Sequence, residues 1–237
     1  MTPQHSTDPT SPFTALGRIK LGETDLDGVL ARVADLAGHA IPGAADVSVT
    51  LFRGRTPYTA AFTGDVALEL DTWQYVRGRG PCLEAAVDKT TVRVPDMADE
   101  PRWPDWAAHA VSLGARSSLS IGLPIQEQVT GALNVYGAQP LEDEAVRLAE
   151  TFAGYAAVAM ANAHLYDTTA NLAQHMQAAM ESRAVIEQAK GIIMGERRCT
   201  AAEAFDVLTK VSQNSNRKVR DVAAALVERA QNKARSS

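Results

Sequence analysis

Residues 117–136 read Ser117-Ser-Leu-Ser-Ile-Gly-Leu-Pro-Ile125, then a short polar interval, then Gly131-Ala-Leu-Asn-Val-Tyr136. In both stretches an apolar residue alternates with a small or polar residue, which is the period of a half-buried β-strand. The interval Gln126-Glu-Gln-Val-Thr130 is polar enough for a turn. The two stretches are therefore predicted to form an antiparallel hairpin, which sets the fold class of the residues around it.

Elements predicted upstream of this hairpin extend it into a sheet. The same alternation predicts a strand at Asp46–Phe52, with Tyr58–Phe62 as its hairpin partner. The remaining predictions are a helix capped by Asp25, helices over 65–76, 81–87 and 103–113, and a strand over 91–94. Strands interrupted by helices, with hairpins at both ends, predict an α+β domain over residues 23–160, in which helices flank a central antiparallel sheet. Residues 1–22 are predicted to be a disordered arm.

A long helix is predicted after Asp143. Its heptad positions are Val158, Leu165, Leu172 and Ala179, and the alternate seam positions are Asn162, Thr169 and Met176. This spacing predicts a linker helix over 161–180 that pairs in a short parallel coiled coil, and therefore a homodimer. The alternative is a single amphipathic helix packed on its own sheet. It accounts for residues 143–160 but not for 161–182, which lie beyond the reach of the sheet.

Three helices over residues 181–233 predict a second, all-α domain. The first helix ends near Gly195, and the second begins with the capping box Thr200-Ala-Ala-Glu203. The apolar face of the second helix is formed by Ala204, Phe205, Leu208 and Val211, so Phe205 is predicted to be buried. The third helix carries Val219, Val222, Ala223, Leu226 and Val227.

Charge is distributed unevenly over the 237 residues. The net charge is −5, yet from Glu181 onward 11 basic and 7 acidic residues leave +4, while the preceding part carries 12 basic and 21 acidic residues, or −9. A basic C-terminal domain behind an acidic body indicates a polyanionic partner for the former. The alternative is chance combined with solvated helix faces.

Location and redox state are predicted from what the sequence lacks. No apolar run approaches the roughly 18 residues that span a bilayer, and the first residues have neither the basic nor the apolar region of a signal peptide. Cys82 and Cys199 show no motif spacing, which argues against a disulfide framework or a zinc site. The histidines are scattered, and no metal site is predicted. We expect a cytoplasmic protein with no membrane partner.

The C-terminal sequence resembles the ANTAR domain of bacterial antitermination regulators. The resemblance is carried by Arg183-Ala-Val-Ile-Glu-Gln-Ala-Lys-Gly-Ile-Ile-Met194, Cys199-Thr-Ala-Ala-Glu-Ala-Phe205, Ser212-Gln-Asn-Ser-Asn-Arg-Lys218 and Asp221-Val-Ala223. It implies a three-helix module that binds a pair of RNA stem-loops, each capped by a six-nucleotide loop, and so prevents a downstream terminator hairpin. A dimer has two copies of this module, one for each hairpin. The heptad seam would hold the two copies together.

Candidate RNA-binding residues lie at helix ends and turns of this module. They are Lys190, Gly191, Arg198, Ser212, Asn216, Arg217, Lys218 and Arg220. Lys and Arg neutralise phosphates, a helix N-terminus favours them, and Ser or Asn side chains donate to phosphate or base edges. Each has an alternative role: Asn216 as a helix N-cap, Gly191 in helix packing, and Arg197 and Arg198 as solvated charges. Because Phe205 is predicted to be buried, no aromatic platform for bases is expected.

Residues 25–165 resemble a GAF domain. The resemblance is carried by Gly80-Pro-Cys-Leu-Glu84, Pro101-Arg-Trp-Pro104, Ser118-Leu-Ser-Ile-Gly-Leu-Pro124 and Gly131-Ala-Leu-Asn-Val-Tyr136. It implies a sensor whose small-molecule ligand or cofactor the sequence leaves unknown. A pocket between the sheet and its covering helices is expected near Trp73, Tyr75, Cys82, Trp103 and Trp106. The alternative is that these aromatic residues pack the core or a lid.

Three other functions remain open at this point. A DNA-binding transcriptional regulator would also place three short helices after a dimer helix, although it needs polar base-reading residues where the third helix turns Ala-rich. A redox or small-molecule enzyme in the GAF domain would need a reactive thiol, and Cys82 is the one cysteine there. A third alternative is an interaction module in which the GAF domain only dimerises. No catalytic arrangement is found, and the chain is expected not to be an enzyme.

Overall fold

The chain folds into two compact units in the computed structural model, which describes residues 10–125 and 130–235. Unit 1 comprises Met1–Asp167 and unit 2 comprises Thr168–Ser237. The long predicted helix is continuous over Asp143–Arg197 and contributes to both units. The boundary between the units therefore falls inside the segment predicted to be a linker helix, residues 161–180.

Eight helices and five strands make up the described residues. In chain order they are α1 Thr10–Gly17, α2 Leu26–Ala40, β1 Asp46–Arg53, β2 Thr56–Phe62, α3 Asp65–Arg77, α4 Pro81–Asp88, β3 Thr91–Val94, α5 Pro104–Ser112, β4 Ser117–Pro124, β5 Thr130–Gly137, α6 Asp143–Arg197, α7 Ala201–Ser215 and α8 Val219–Arg235. The α+β architecture followed by an all-α domain, predicted from the sequence, is confirmed.

The five strands form one antiparallel sheet in the order β2-β1-β5-β4-β3. The predicted central hairpin is β4–β5, in which Leu119 pairs with Val135 and Ile121 with Leu133. The interior of its turn, residues 126–129, lies outside the described residues. Because side chains alternate across a strand, this register places the apolar residues of β4 and β5 on one face of the sheet and their polar residues on the other.

The two faces of the sheet are covered differently. The apolar face packs with α2 and α6 in the main core, which includes Val49, Leu133, Val33, Phe152 and Met160. The opposite face lies under α3 and α4. It carries mostly polar residues, all of them buried: Ser48, Thr50, Ser118, Ser120, Asn134 and Tyr136. We call this set the polar face.

Helix α1 corrects the prediction of a disordered arm over residues 1–22, in so far as the structure describes that segment. The Phe13 ring lies edge-on to the rings of Phe152 and Tyr155, with centroids 5.6 and 5.8 Å away, and Leu16 is buried. Eight residues are too few to form a stable helix alone. Helix α1 is held by its packing on α2 and by the contacts of Phe13 with α6. Because α6 is distant in sequence, local composition gave no signal of those contacts.

Unit 2 is a small three-helix domain formed by the end of α6 with α7 and α8. Its core contains Ala189, Ile193, Ala204, Leu208, Val222 and Ala223. One alanine from each helix is fully buried, and a side chain of this size lets helix backbones approach closely. The predicted end of the first helix near Gly195 extends in the structure to Arg197.

The capping box of α7 yields a first prediction. Thr200 Oγ1 accepts from the Glu203 N–H at 3.3 Å, and Glu203 Oε2 accepts from the Thr200 N–H at 2.8 Å. Thr200→Ala removes one half of this reciprocal pair and is expected to destabilise α7 by about 1 kcal/mol, which is roughly fivefold in local opening. Hydrogen exchange of α7 amides in the full-length protein measures the change.

Thr200→Ser retains the hydroxyl and serves as the control, which is expected to exchange like the wild type. Bonds from Thr200 hold the pKa of the Glu203 carboxyl below its usual value. The protective effect of the cap is therefore lost as pH falls through that lowered pKa. Equal exchange rates in the alanine and serine variants would contradict the assigned role of this cap.

Candidate functional site

The turn between α7 and α8, residues 212–220, is rigidly closed by hydrogen bonds; we call it the cationic turn. The Arg217 N–H donates to the Ser212 carbonyl at 3.1 Å and the Asn216 N–H donates to the Gln213 carbonyl at 3.4 Å. Asn216 adopts the left-handed conformation, with φ of 50°. This pattern is a Schellman motif, which ends a helix with an Asn or Gly in that conformation.

Two candidate residues have structural roles in this turn. Asn216 caps the C-terminus of α7, so the alternative that it is the N-cap of the third helix is wrong. The Ser212 hydroxyl donates to the Arg217 carbonyl and closes the turn a second time. Its proton is therefore engaged, while its oxygen retains lone pairs that accept. The Asn216 side chain stays exposed.

Three cations surround the start of α8. The Lys218 carbonyl accepts from the N–H groups of Asp221 and Val222 at 2.9 and 3.2 Å, so Lys218 directly precedes the helix. Arg220 Nε lies 3.3 Å from Asp221 Oδ1, and Arg217 Nη2 donates to the Asp221 carbonyl at 3.3 Å. This segment therefore carries three cations and one carboxylate, which pairs with Arg220, at a helix N-terminus that itself carries partial positive charge. The arrangement suits an anion such as phosphate.

The RNA-binding candidates at the end of α6 differ in whether their charges are already paired and in what surrounds them. Lys190 Nζ lies 2.8 and 3.0 Å from the carboxylate oxygens of Glu187, and its side chain is only 16% exposed, so its charge is already paired. Arg198 is exposed, has φ of 53°, and forms no ion pair within residues 10–125 and 130–235. A Cβ added to Gly191 would meet nothing within 4 Å, so the alternative role of Gly191 in helix packing is not supported.

Phe205 corrects the prediction that the apolar face of α7 buries it. Its side chain is 42% exposed, whereas Ala204 and Leu208 are buried. At about 100° per residue, Phe205 lies at the edge of the face that these two residues define. The core of unit 2 is made largely of small side chains and does not reach far enough to cover it. An aromatic ring is therefore available on this domain.

The structure separates the five candidate pocket residues of unit 1 into two groups. Trp103 and Trp106 are buried side by side, with ring centroids 6.5 Å apart, and Trp106 Nε1 donates to the Leu70 carbonyl at 3.3 Å. Trp73 stacks on His109 with centroids 6.5 Å apart. The three tryptophans therefore pack α3 and α5, in agreement with the alternative interpretation. Tyr75 and Cys82 lie elsewhere, beside the polar face.

Sequence reasoning missed Asp71, a buried residue of α3 that lies against the polar face. The Asp71 carboxylate accepts from the hydroxyls of Tyr136 at 2.7 Å and Thr59 at 2.9 Å, and more weakly from Asn134 Nδ2 at 3.4 Å. The Tyr75 hydroxyl lies 3.4 Å from the same carboxylate. A signal existed, because Ala67, Leu70, Asp71 and Gln74 share the buried face of α3 at helical spacing.

Burial dominates the electrostatics of this cluster. Desolvation raises the pKa of the Asp71 carboxyl, although the hydrogen bond from Tyr136 opposes it. Burial also raises the pKa of the Cys82 thiol well above its usual value, and the nearby Asp71 carboxylate adds to that effect. Cys82 is therefore unsuited to act as the thiolate nucleophile that a redox enzyme in this domain would need.

Three buried polar atoms on the polar face have no hydrogen-bond partner in the part of the chain that the structure describes. They are Ser118 Oγ, Ser120 Oγ and Asn134 Oδ1. Ser120 pairs with Asn134 and Ser118 with Tyr136 across β4 and β5, so these atoms are neighbours. A buried polar atom without a partner costs about 1–3 kcal/mol. The polar face thus retains hydrogen-bonding capacity that a small polar molecule could use.

The predicted heptad seam of α6 is exposed. Val158, Leu165, Leu172 and Met176 each expose about 60% of their surface. Beside Val158 lie two grooves of about 500 and 460 Å³, the second lined by Phe13, Leu16 and other apolar residues. Contiguous apolar surface of this kind marks an interaction site more often than a free surface.

Comparison with known proteins supports both resemblances. The profile of the GAF domain family matches residues 23–161, and that of the ANTAR domain family matches residues 174–227. No curated protein matches the chain at a significant level. Across residues 10–125 and 130–235 no helix is long and apolar enough to cross a membrane, and no group of three or more His, Cys, Asp or Glu side chains is placed to hold a metal ion.

Solved structures share the fold of unit 1. The GAF domain of Acinetobacter phosphoenolpyruvate-protein phosphotransferase is 15% identical, with a TM-score of 0.50 over 70% of this chain and 97% of that one. The phycoerythrobilin-bound GAF domain of a cyanobacterial phytochrome is 14% identical, with a TM-score of 0.51 over 68% and 98%. The fRMsr of Staphylococcus aureus is 15% identical, with a TM-score of 0.51 over 68% and 99%. Identities this low show the fold alone.

Proposed function

The chain belongs to the GAF domain family and carries an ANTAR domain at its C-terminal end, and we propose that it is a homodimeric antiterminator. In this proposal unit 2 binds nascent RNA that contains two adjacent stem-loops, each with a six-nucleotide loop. Holding this pair prevents a terminator hairpin from forming downstream. Such a role requires access to transcripts, and so a cytoplasmic location.

The observation that carries the proposal is the cationic turn. Phosphates supply most of the affinity of a protein for RNA, and Arg and Lys neutralise them. Arg217, Lys218 and Arg220 lie together at the start of α8, and the turn that presents them is closed by its own hydrogen bonds. A turn ordered in advance loses little conformational entropy when it binds.

The exposed heptad seam supports the dimer. Its residues recur at intervals of three and four along α6 and remain uncovered in the single chain. Two copies paired along this seam would bury it and would present two cationic turns. Two linked binding sites bind two linked hairpins with an avidity that exceeds either single affinity by about 10²–10⁴-fold.

The polar face supports a sensory role for unit 1. Its unpartnered Ser118, Ser120 and Asn134 atoms would suit a small polar ligand that exchanges hydrogen bonds with them. A ligand that binds one conformation of unit 1 better than another would shift the pairing of α6 and with it the affinity for RNA. Enzyme chemistry at Cys82 is disfavoured by the buried position and raised pKa of its thiol.

The test is a gel-shift titration of the full-length protein with an RNA of two hexaloop hairpins. Arg217→Ala is expected to weaken binding about tenfold and to reduce the slope of log affinity against log salt by about 0.7–0.9, as loss of one phosphate contact predicts. Arg229→Ala is the matched control, since it removes the same charge from an exposed position further along α8.

Control nucleic acids distinguish this function from the alternative functions. Scrambling one loop is expected to weaken binding strongly, and a duplex DNA of equal length is expected to bind more weakly than the RNA at the same salt concentration. Equal affinity for the DNA would favour the DNA-binding alternative. Binding that ignores the loops, or equal losses in the Arg217 and Arg229 variants, would refute the proposed interface.

A further inference from the structure

A strip of uncharged residues on α7 leads to the cationic turn. At about 100° per residue, Phe205, Thr209 and Ser212 fall within roughly 60° of one another around the helix axis, and Asn216 follows at the C-terminal cap. Phe205 and Asn216 are exposed, and the strip ends in the turn that holds Arg217. The strip therefore joins an aromatic ring to polar groups and then to cations on one surface of unit 2.

Acidic residues of α7 point away from this strip. Glu203 and Asp206 lie about 160° and 100° around the helix from Phe205. Glu203 is in addition bound to Thr200 through the capping box. An RNA strand that follows the strip would thus approach the Phe205 ring without meeting the carboxylates of its own helix.

The spacing along the strip matches single-stranded RNA. Phe205 and Ser212 are seven residues apart, which is about 10 Å along the helix. Stacked nucleotides rise about 3.4 Å each, so the strip spans about three of them. Unstacked loop bases are commonly held on aromatic side chains, while Arg and Lys hold the adjoining phosphates.

We propose that Phe205 is the platform on which unit 2 stacks one base of an RNA loop, whose phosphates lie on the cationic turn. The inference rests on the proposed RNA-binding function. It adds to that function the residue that distinguishes an unpaired loop from a duplex. A duplex holds its bases within the helix and offers no free face to this ring. Stacking therefore explains discrimination between a loop and a helix, which phosphate contacts alone do not provide.

The experiment uses the full-length protein and single-hairpin RNAs that carry 2-aminopurine at each loop position in turn. Phe205→Leu is expected to lower affinity about tenfold and to abolish the quenching of 2-aminopurine at one loop position, since stacking on an aromatic ring contributes about 1–3 kcal/mol per base. Phe205→Tyr is expected to retain both signals. Leucine preserves apolar contact with the core edge, so the fold is expected to stay intact, as checked by circular dichroism.

Val211→Ala is the matched control, because Val211 is also apolar, on α7 and 46% exposed, yet lies about 120° away from Phe205. Its affinity is expected to equal that of the wild type. Wild-type affinity and quenching in Phe205→Leu would overturn the stacking role and leave the RNA-binding function standing. Dissociation of a dimer by Phe205→Leu would instead assign the ring to a protein interface and overturn the inference. Failure of the wild type to bind any hairpin would overturn both proposals.

Discussion

Replacing Asp71 with leucine is expected to lower the free energy of unfolding of unit 1 by about 3–5 kcal/mol, a loss typical of a broken buried polar network. The carboxylate accepts from the hydroxyls of Tyr136, which is buried, and Thr59, which is half-buried, and leucine would leave both without that acceptor. Leucine has a shape similar to that of aspartate, so the loss of stability reflects missing hydrogen bonds rather than a cavity. Tryptophan fluorescence during urea unfolding reports this change selectively, because Trp73, Trp103 and Trp106 all lie in unit 1.

Asp71→Asn is the control and also tests the electrostatics. An amide preserves the shape and can donate to the Thr59 hydroxyl, so stability near neutral pH is expected to be equal to that of the wild type or higher. Burial raises the pKa of Asp71 in the folded protein, so its contribution to stability is present below the unfolded pKa and is lost as pH rises through the folded pKa. The wild type is therefore expected to lose stability with rising pH across this window, and the asparagine variant to show a flatter profile.

Unchanged stability or an unchanged pH profile in these variants would contradict the role assigned to Asp71. If Asp71→Leu unfolded at the same urea concentration as the wild type, the polar face would be poorly ordered in solution and the hydrogen bonds of Asp71 would not stabilise the sheet. If both variants showed the same pH profile as the wild type, another group would be responsible for it.

Leu172→Glu is expected to convert the proposed dimer into a monomer and to weaken binding of two-hairpin RNA at least a hundredfold. In a parallel pair of α6 helices the two introduced carboxylates would face each other across the seam, where their burial and repulsion disfavour association. Affinity for a single hairpin is expected to change little, because each unit 2 remains intact. Sedimentation measures the oligomeric state, and gel shifts with one or two hairpins measure the affinities.

Gln174→Glu introduces the same charge two residues away on α6, outside the heptad seam, and is expected to remain dimeric. A Leu172→Glu protein that stays dimeric would show that the seam does not hold two copies together. A monomeric variant with undiminished affinity for two hairpins would show that the dimer has no part in RNA binding.

The sheet could be predicted because its pattern is local and repeated. Strands β4 and β5 alternate apolar and polar residues, and that period fixed both the hairpin and the side of the sheet on which each residue lies. The capping box of α7 was equally local, with both of its residues within one turn of helix. Features that depend on residues close together in the chain could therefore be predicted from the sequence.

Features decided by distant contacts were predicted less well. Helix α1 packs on α2 and places Phe13 against Phe152 and Tyr155 of the distant α6. Phe205 is exposed because the small core of unit 2 ends before it. The N-cap alternative for Asn216 was wrong because an N-cap and a Schellman turn favour the same residue type. Asp71 was overlooked because the search for chemistry followed aromatic residues and cysteine.

Helix α6 also constrains how this gene can vary. Between Ala163 and Ala189 every residue of α6 is described and none is fully buried, although Val185 and Ile186 pack against the core of unit 2. Substitutions before Val185 and outside the seam are therefore free of core packing. Insertions and deletions are not free, since each added residue rotates everything beyond it by about 100°. Only a change of seven residues, a whole heptad, restores the phase of the seam. We expect homologous genes to differ freely at the positions of this segment outside the seam and to differ in its length by multiples of 21 nucleotides.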